Sequence, residues 1–171
     1  MFEEFLGIPM HPLVVHAAVV FVPLQVVAAL AYALVPFVRR HVAWLVVSLA
    51  VAAPLAAWLA KLSGDAFRRR LTRNGTAGAD LLRKIDQHSS YGDATLYASA
   101  VLGVLMILLV WVQVSRSRRA VAGGDSAGGS RPASMVTAAV LTVAVLAMGL
   151  ATGYYVFRTG DSGAHMVWTG L

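Results

Sequence analysis

Gly7-Ile8-Pro9-Met10-His11-Pro12-Leu13-Val14-Val15-His16 leads straight into a run, residues 13–38, that contains no charged side chain. Its polar members are His16, Gln25 and Tyr32. Roughly 20 apolar residues span the hydrocarbon core as a helix, so this run predicts a tilted transmembrane helix. Pro12 suits a first helical turn, where its missing N–H costs nothing. Pro23 predicts a kink, and Pro36 with Arg39-Arg40 predicts the end. Two imidazoles at the mouth of such a helix are not required by membrane insertion.

Working outward, three further apolar runs follow. The expected helices are about residues 12–38, 42–60, 80–114 and 135–157. Trp44 and Trp58 lie near the two ends of the second, as interfacial aromatics do, and Pro54 predicts a kink within it. Between the second and third runs, Asn74-Gly75 reads as a turn and Asp80 as a helix N-cap. Residues 115–134, rich in Gly, Ser and Arg, read as a flexible loop. The composition agrees: 58% hydrophobic, 13% charged, mean hydropathy +0.72, against about 25% charged residues in a soluble domain. The fold class expected is all-α, one integral membrane four-helix bundle running up-down-up-down.

Cysteine is absent, which excludes disulfides, thiolate metal sites and covalent c-type haem. The pI of about 10.3 comes from arginine-rich loops. In a membrane protein such loops set topology and meet anionic lipid, so no nucleic-acid partner is expected. The acidic start, Glu3-Glu4, lacks the basic region of a cleavable signal peptide. No hydrolytic or transferase motif is present, so any activity is at most redox electron transfer.

Four spans place both termini and the loop between helices two and three on one side of the membrane. That side carries His11, His16, His88 and His165, and only His41 lies on the other. Lys/Arg counting over all loops slightly favours the histidine side inside the cell. The flanks of the first helix, Glu3-Glu4 before and Arg39-Arg40 after, argue the reverse and commonly dominate. The expectation is therefore a multi-pass cell-membrane protein with extracytoplasmic termini.

An ionisable residue at membrane depth is costly and by default a functional candidate, which singles out His16. His88 heads a small-residue stripe, Gly92, Ser99 and Gly103, that gives either close helix contact or room for a flat macrocycle. Helices one and three are commonly diagonal in a bundle, so His16 and His88 could ligate a b-type haem from opposite faces. His11 is the substitute ligand if the haem lies nearer the membrane surface. The rival is a transition-metal site drawing on His11, His16, His88 and His165 with neighbouring aspartates, although no chelating spacing supports it. A non-catalytic membrane subunit without haem remains the alternative.

The motifs Gly7-x-Pro9-x-His11-Pro12-Leu13-Val14-Val15-His16, Gly64-Asp65, His88-x-x-x-Gly92 and the closing Gly160-Asp161-Ser162-Gly163-Ala164 with Val167-Trp168 resemble the bacterial membrane family called domain of unknown function 2231. The resemblance covers nearly the whole chain, and the opening motif is its most specific part. In that family the tail often reads Gly-His-Ser-Gly, whereas Asp161 stands here and a histidine comes at 165. The family's association with Rieske-type and cytochrome c-type domains implies a redox setting. A separate redox protein or a quinone is then the expected electron partner beside the lipid bilayer, with a homo-oligomer left open.

Overall fold

The computed structural model describes residues 4–5, 8–121 and 130–168. A two-residue antiparallel pairing, β1 (Glu4–Phe5) with β2 (Ile8–Pro9), leads into α1 (Met10–Leu34). A 3-10 turn over Pro36–Val38 is followed by α2 (Arg39–Arg73), α3 (Ala79–Val121) and α4 (Ser130–Trp168). All four helices are long and apolar enough to cross a membrane. Each packs on the next and α4 closes back on α1, so α1 and α3 stand diagonally. This is the expected all-α bundle.

The helices outrun the apolar stretches. α2 continues to Arg73, where the sequence predicts an end near residue 60, and α4 continues through the tail to Trp168. Hydropathy marks where lipid ends, but nothing there breaks the backbone ladder. Ser63 and Ala66 stay buried on the continuing face of α2. The turn falls where expected: Asn74 caps the end of α2, and Gly75 takes φ +62°, a conformation glycine adopts without steric cost. Asp80 lies inside the first turn of α3 and pairs with Arg83 and Lys84. The expected flexible loop shrinks at both ends to helix, and its centre, residues 122–129, lies outside the described residues.

α1 stops at Leu34 because Pro36 cannot continue the ladder. The carbonyls left over at that end are taken by Arg39, whose Nε donates to the Tyr32 oxygen at 2.9 Å and whose second guanidinium nitrogen donates to the Ala33 oxygen at 2.9 Å. Such a cation also offsets the negative end of the helix dipole.

One polar lock holds the diagonal. Gln25 of α1 and Ser99 of α3 are both fully buried. The Gln25 amide nitrogen donates to the Ser99 carbonyl at 3.0 Å, and the Ser99 hydroxyl donates to the Gln25 side-chain oxygen at 2.7 Å. Each group satisfies the other where water cannot. Around it pack Ala29, Tyr32, Val46, Leu102, Met106, Leu109 and Val145. The topology has a direct check: a reporter after Leu171 and one inserted at Gly124 should report opposite sides of the membrane. Same-side signals would contradict four spans.

Candidate functional site

At the end of the bundle where α1 and α3 begin, two histidines are held in the same way by two different hairpins. His11 of α1 has its Nδ1 3.0 Å from the hydroxyl of Ser63 on α2. His88 of α3 has its Nδ1 3.0 Å from the hydroxyl of Ser162 on α4. Each serine donates its one proton to the carbonyl three residues back, Ser63 to Ala60 at 2.8 Å and Ser162 to Thr159 at 3.0 Å. A hydroxyl with its proton committed can only accept from the ring. With the hydroxyl proton on the carbonyl, each ring carries its hydrogen on Nδ1, the tautomer that leaves the Nε2 lone pair to a ligand. Tying one ring nitrogen to orient the other is how ligating histidines are set.

The residue after each serine makes room for the ring. A Cβ on Gly64 would stand 3.1 Å from His11 Cε1, and a Cβ on Gly163 would stand 3.1 Å from His88 Cε1. Phe67, one turn further along α2, lies nearly parallel to the His11 ring, 12° between planes with centroids 6.3 Å apart. Burial holds the His11 imidazole below its ordinary pKa, and the nearby His88 pushes it the same way, while the Ala60 carbonyl opposes them. The two rings therefore share one electrostatic neighbourhood, and His11 stays neutral over a wider acid range than a solvated histidine.

The match between hairpins extends down the bundle. Shifted by the His11-to-His88 spacing of 77 residues, Val22, Gln25, Ala29, Tyr32 and Ala33 fall on Ser99, Leu102, Met106, Leu109 and Val110, and all ten are buried. Shifted by the Ser63-to-Ser162 spacing of 99 residues, Val46, Ala50 and Ala53 fall on Val145, Gly149 and Thr152, again all buried. At these positions the two hairpins share one burial pattern, and each contributes one imidazole bonded to a serine of its second helix.

The other candidates are placed differently. His16 lies on the exposed face of α1. His165 is 67% exposed and its Nδ1 is 2.9 Å from the Asp161 carbonyl. Ser99 is engaged with Gln25, and Gly103 sits against the backbone of α2, where a Cβ would come within 2.4 Å of the Ala50 oxygen. Only Gly92, one turn after His88, faces open space. Several aspartates of this end are committed to cations: Asp93 and Asp65 to Lys61, and Asp86 to Arg68 through two hydrogen bonds. Among the described residues, no group of three or more His, Asp or Glu could hold a metal ion.

A family model described as predicted membrane protein (DUF2231) matches residues 7–170, nearly the whole chain and all four helices. The chain belongs to the DUF2231 family. The match includes His11, Ser63-Gly64, His88 and Ser162-Gly163. No curated protein and no solved structure matches the chain significantly. For this DUF2231 member the serine–glycine pairs are what the sequence reading missed as site residues. The signal was a repeated Ser-Gly dipeptide with a flanking aspartate, Ser63-Gly64-Asp65 and Asp161-Ser162-Gly163.

Proposed function

We propose that this protein is a small membrane b-type haem protein that passes electrons, with His11 and His88 as the residues that would hold the iron. The observation that carries the reading is the matched orientation of the two imidazoles, each presenting a free Nε2 from an equivalent place in its hairpin. The donor set fits a haem better than a bare ion. A structural zinc or copper site wants three or four protein ligands, whereas a haem iron brings four nitrogens of its own and asks the protein for two. Gly92 leaves space one turn from His88, which a planar ring system can use. With no cysteine in the chain, attachment would be non-covalent.

Bound there, a haem supplies reversible one-electron exchange. The chain's part is to hold and tune. Ser63 and Ser162 fix the ring tautomers and raise ligand basicity. Gly64 and Gly163 let the rings lie flat on their partner helices. Phe67 limits rotation of His11 and excludes water on that side. The site lies at a polar end of the bundle, so a soluble redox protein or a membrane quinone can approach it. The acidic first flank and basic second flank of α1 support an extracytoplasmic position for that end.

The test is the visible spectrum of protein purified from haem-sufficient cells. A Soret band with sharpened visible bands on dithionite reduction is expected, from a six-coordinate centre. Ser63→Ala and Ser162→Ala should keep those bands but weaken haem retention by about 10–100-fold, the usual effect of losing a group that orients a ligand. A colourless protein that cannot be reconstituted with haem would end the reading. Metal analysis would then decide between a transition ion and a purely structural subunit.

A further inference from the structure

Outside the histidine pair, one cleft of about 300 Å³ opens between α3 and α4 at the same end of the bundle. Lys84, Gln87 and Tyr91 line it from α3, and Arg158, Asp161 and His165 from α4. Arg158 is held in place before any ligand arrives. Its guanidinium lies over the Tyr91 ring, 5.0 Å from the centroid, and donates to the Tyr91 hydroxyl at 2.9 Å. Its Nε–H is shielded from solvent and meets no acceptor among the described residues. Asp161 Oδ2 lies 4.0 Å from Nη1 of the same guanidinium, too far for a hydrogen bond. A buried donor without an acceptor calls for an explanation, and an oxyanion is the natural partner of an oriented guanidinium fork.

The internal match between hairpins supplies a control for this feature. The positions equivalent to Arg158 and Tyr91 in the first hairpin are Leu59 and Val14. Hairpin packing therefore does not require a cation or a phenol there. The charge is an addition to one half of the bundle, in a cleft that Ser162, the partner of His88, also lines.

Depth and surroundings identify the anion. Arg158 is the first charged residue after the apolar run 135–157, so it stands at the level of lipid headgroups. Directly toward the membrane on α4 are Leu150, Tyr154 and Phe157, respectively 67%, 58% and 69% exposed. They form an apolar track on which acyl chains can lie. Lys84, which also pairs with Asp80 at 3.6 Å, is the second cation of the cleft, and Arg158 supplies its guanidinium. We infer that this cleft binds the phosphate of an anionic phospholipid, its headgroup on Arg158, Lys84 and Gln87 and its chains along Tyr154 and Phe157.

The proposal does not depend on haem and is tested without it. Native mass spectrometry of the detergent-solubilised full chain would be titrated with phosphatidylglycerol, phosphatidylcholine and inorganic phosphate. Phosphatidylglycerol should bind in preference to phosphatidylcholine. Arg158→Gln should weaken it by roughly fivefold or more, Lys84→Gln should weaken it less, and Arg158→Lys should restore part of the loss. Arg69→Gln, an exposed cation on α2, should change nothing. If Arg158→Gln does not fold, the contrast between Lys84→Gln and Arg69→Gln carries the test. No headgroup preference, or equal losses at Arg69 and at the cleft residues, overturns the site. Displacement of the lipid by millimolar inorganic phosphate assigns the cleft to free phosphate and overturns the lipid reading.

Discussion

His11→Ala and His88→Ala are each expected to abolish the six-coordinate spectrum that the proposed haem would give, whereas His16→Ala and His41→Ala should leave it intact. The asymmetry follows from orientation. His11 and His88 have Nδ1 tied to Ser63 and Ser162 and Nε2 free. His16 points out from α1, and His41 lies at the start of α2, at the opposite end of the bundle. Losing either imidazole that would hold the iron should change the spectrum's coordination state or lose the haem outright, an all-or-none change by optical spectroscopy. Acid should displace the ligand late. Protonation competes for Nε2, and burial lowers the pKa of His11 below its ordinary value, so loss should begin only once the pH falls below the usual imidazole range. Retention of the full spectrum in His11→Ala, with loss in His16→Ala, would overturn the ligand assignment.

The bundle was legible from the sequence because lipid imposes a strong compositional rule: four apolar runs must be four helices, since no other open structure satisfies its backbone in hydrocarbon. The polar continuations to Arg73 and Trp168 were not legible, because that rule stops at the interface. Of the candidate site, His88 and Gly92 could be singled out from spacing alone. The depth argument that favoured His16 weighed its position along α1 but not its rotation, and rotation turns it outward. The serine–glycine partners escaped notice for a different reason. The two hairpins repeat with unequal offsets, 77 residues between the histidines and 99 between the serines, so no single period aligns both. Only the pairing of helices brings out that the same imidazole–hydroxyl–carbonyl chain is built twice.

Gly103→Ala should cost more stability than a glycine-to-alanine change at any other described helical glycine, and the cause lies on the neighbouring helix. Pro54 has no N–H, so the Ala50 carbonyl four residues earlier has no helical donor. α3 approaches α2 at that oxygen, and only a glycine allows it: a Cβ at position 103 would stand 2.4 Å from the Ala50 oxygen and 3.4 Å from the Gln25 amide nitrogen. The obstacle is backbone, which cannot swing aside as a side-chain tip can. The helices must separate, and separation also strains the Gln25–Ser99 lock beside it. Overpacking of a core typically costs about 1–3 kcal/mol, and this site should reach the upper part of that range, with a clear fall in melting temperature in detergent. Gly153→Ala is the matched control. Its new methyl would meet only Val26, at 3.8 Å, an ordinary contact, and its melting temperature should stay close to that of the parent. Equal melting of the two variants would mean that α2 and α3 do not meet at the carbonyl that Pro54 leaves free.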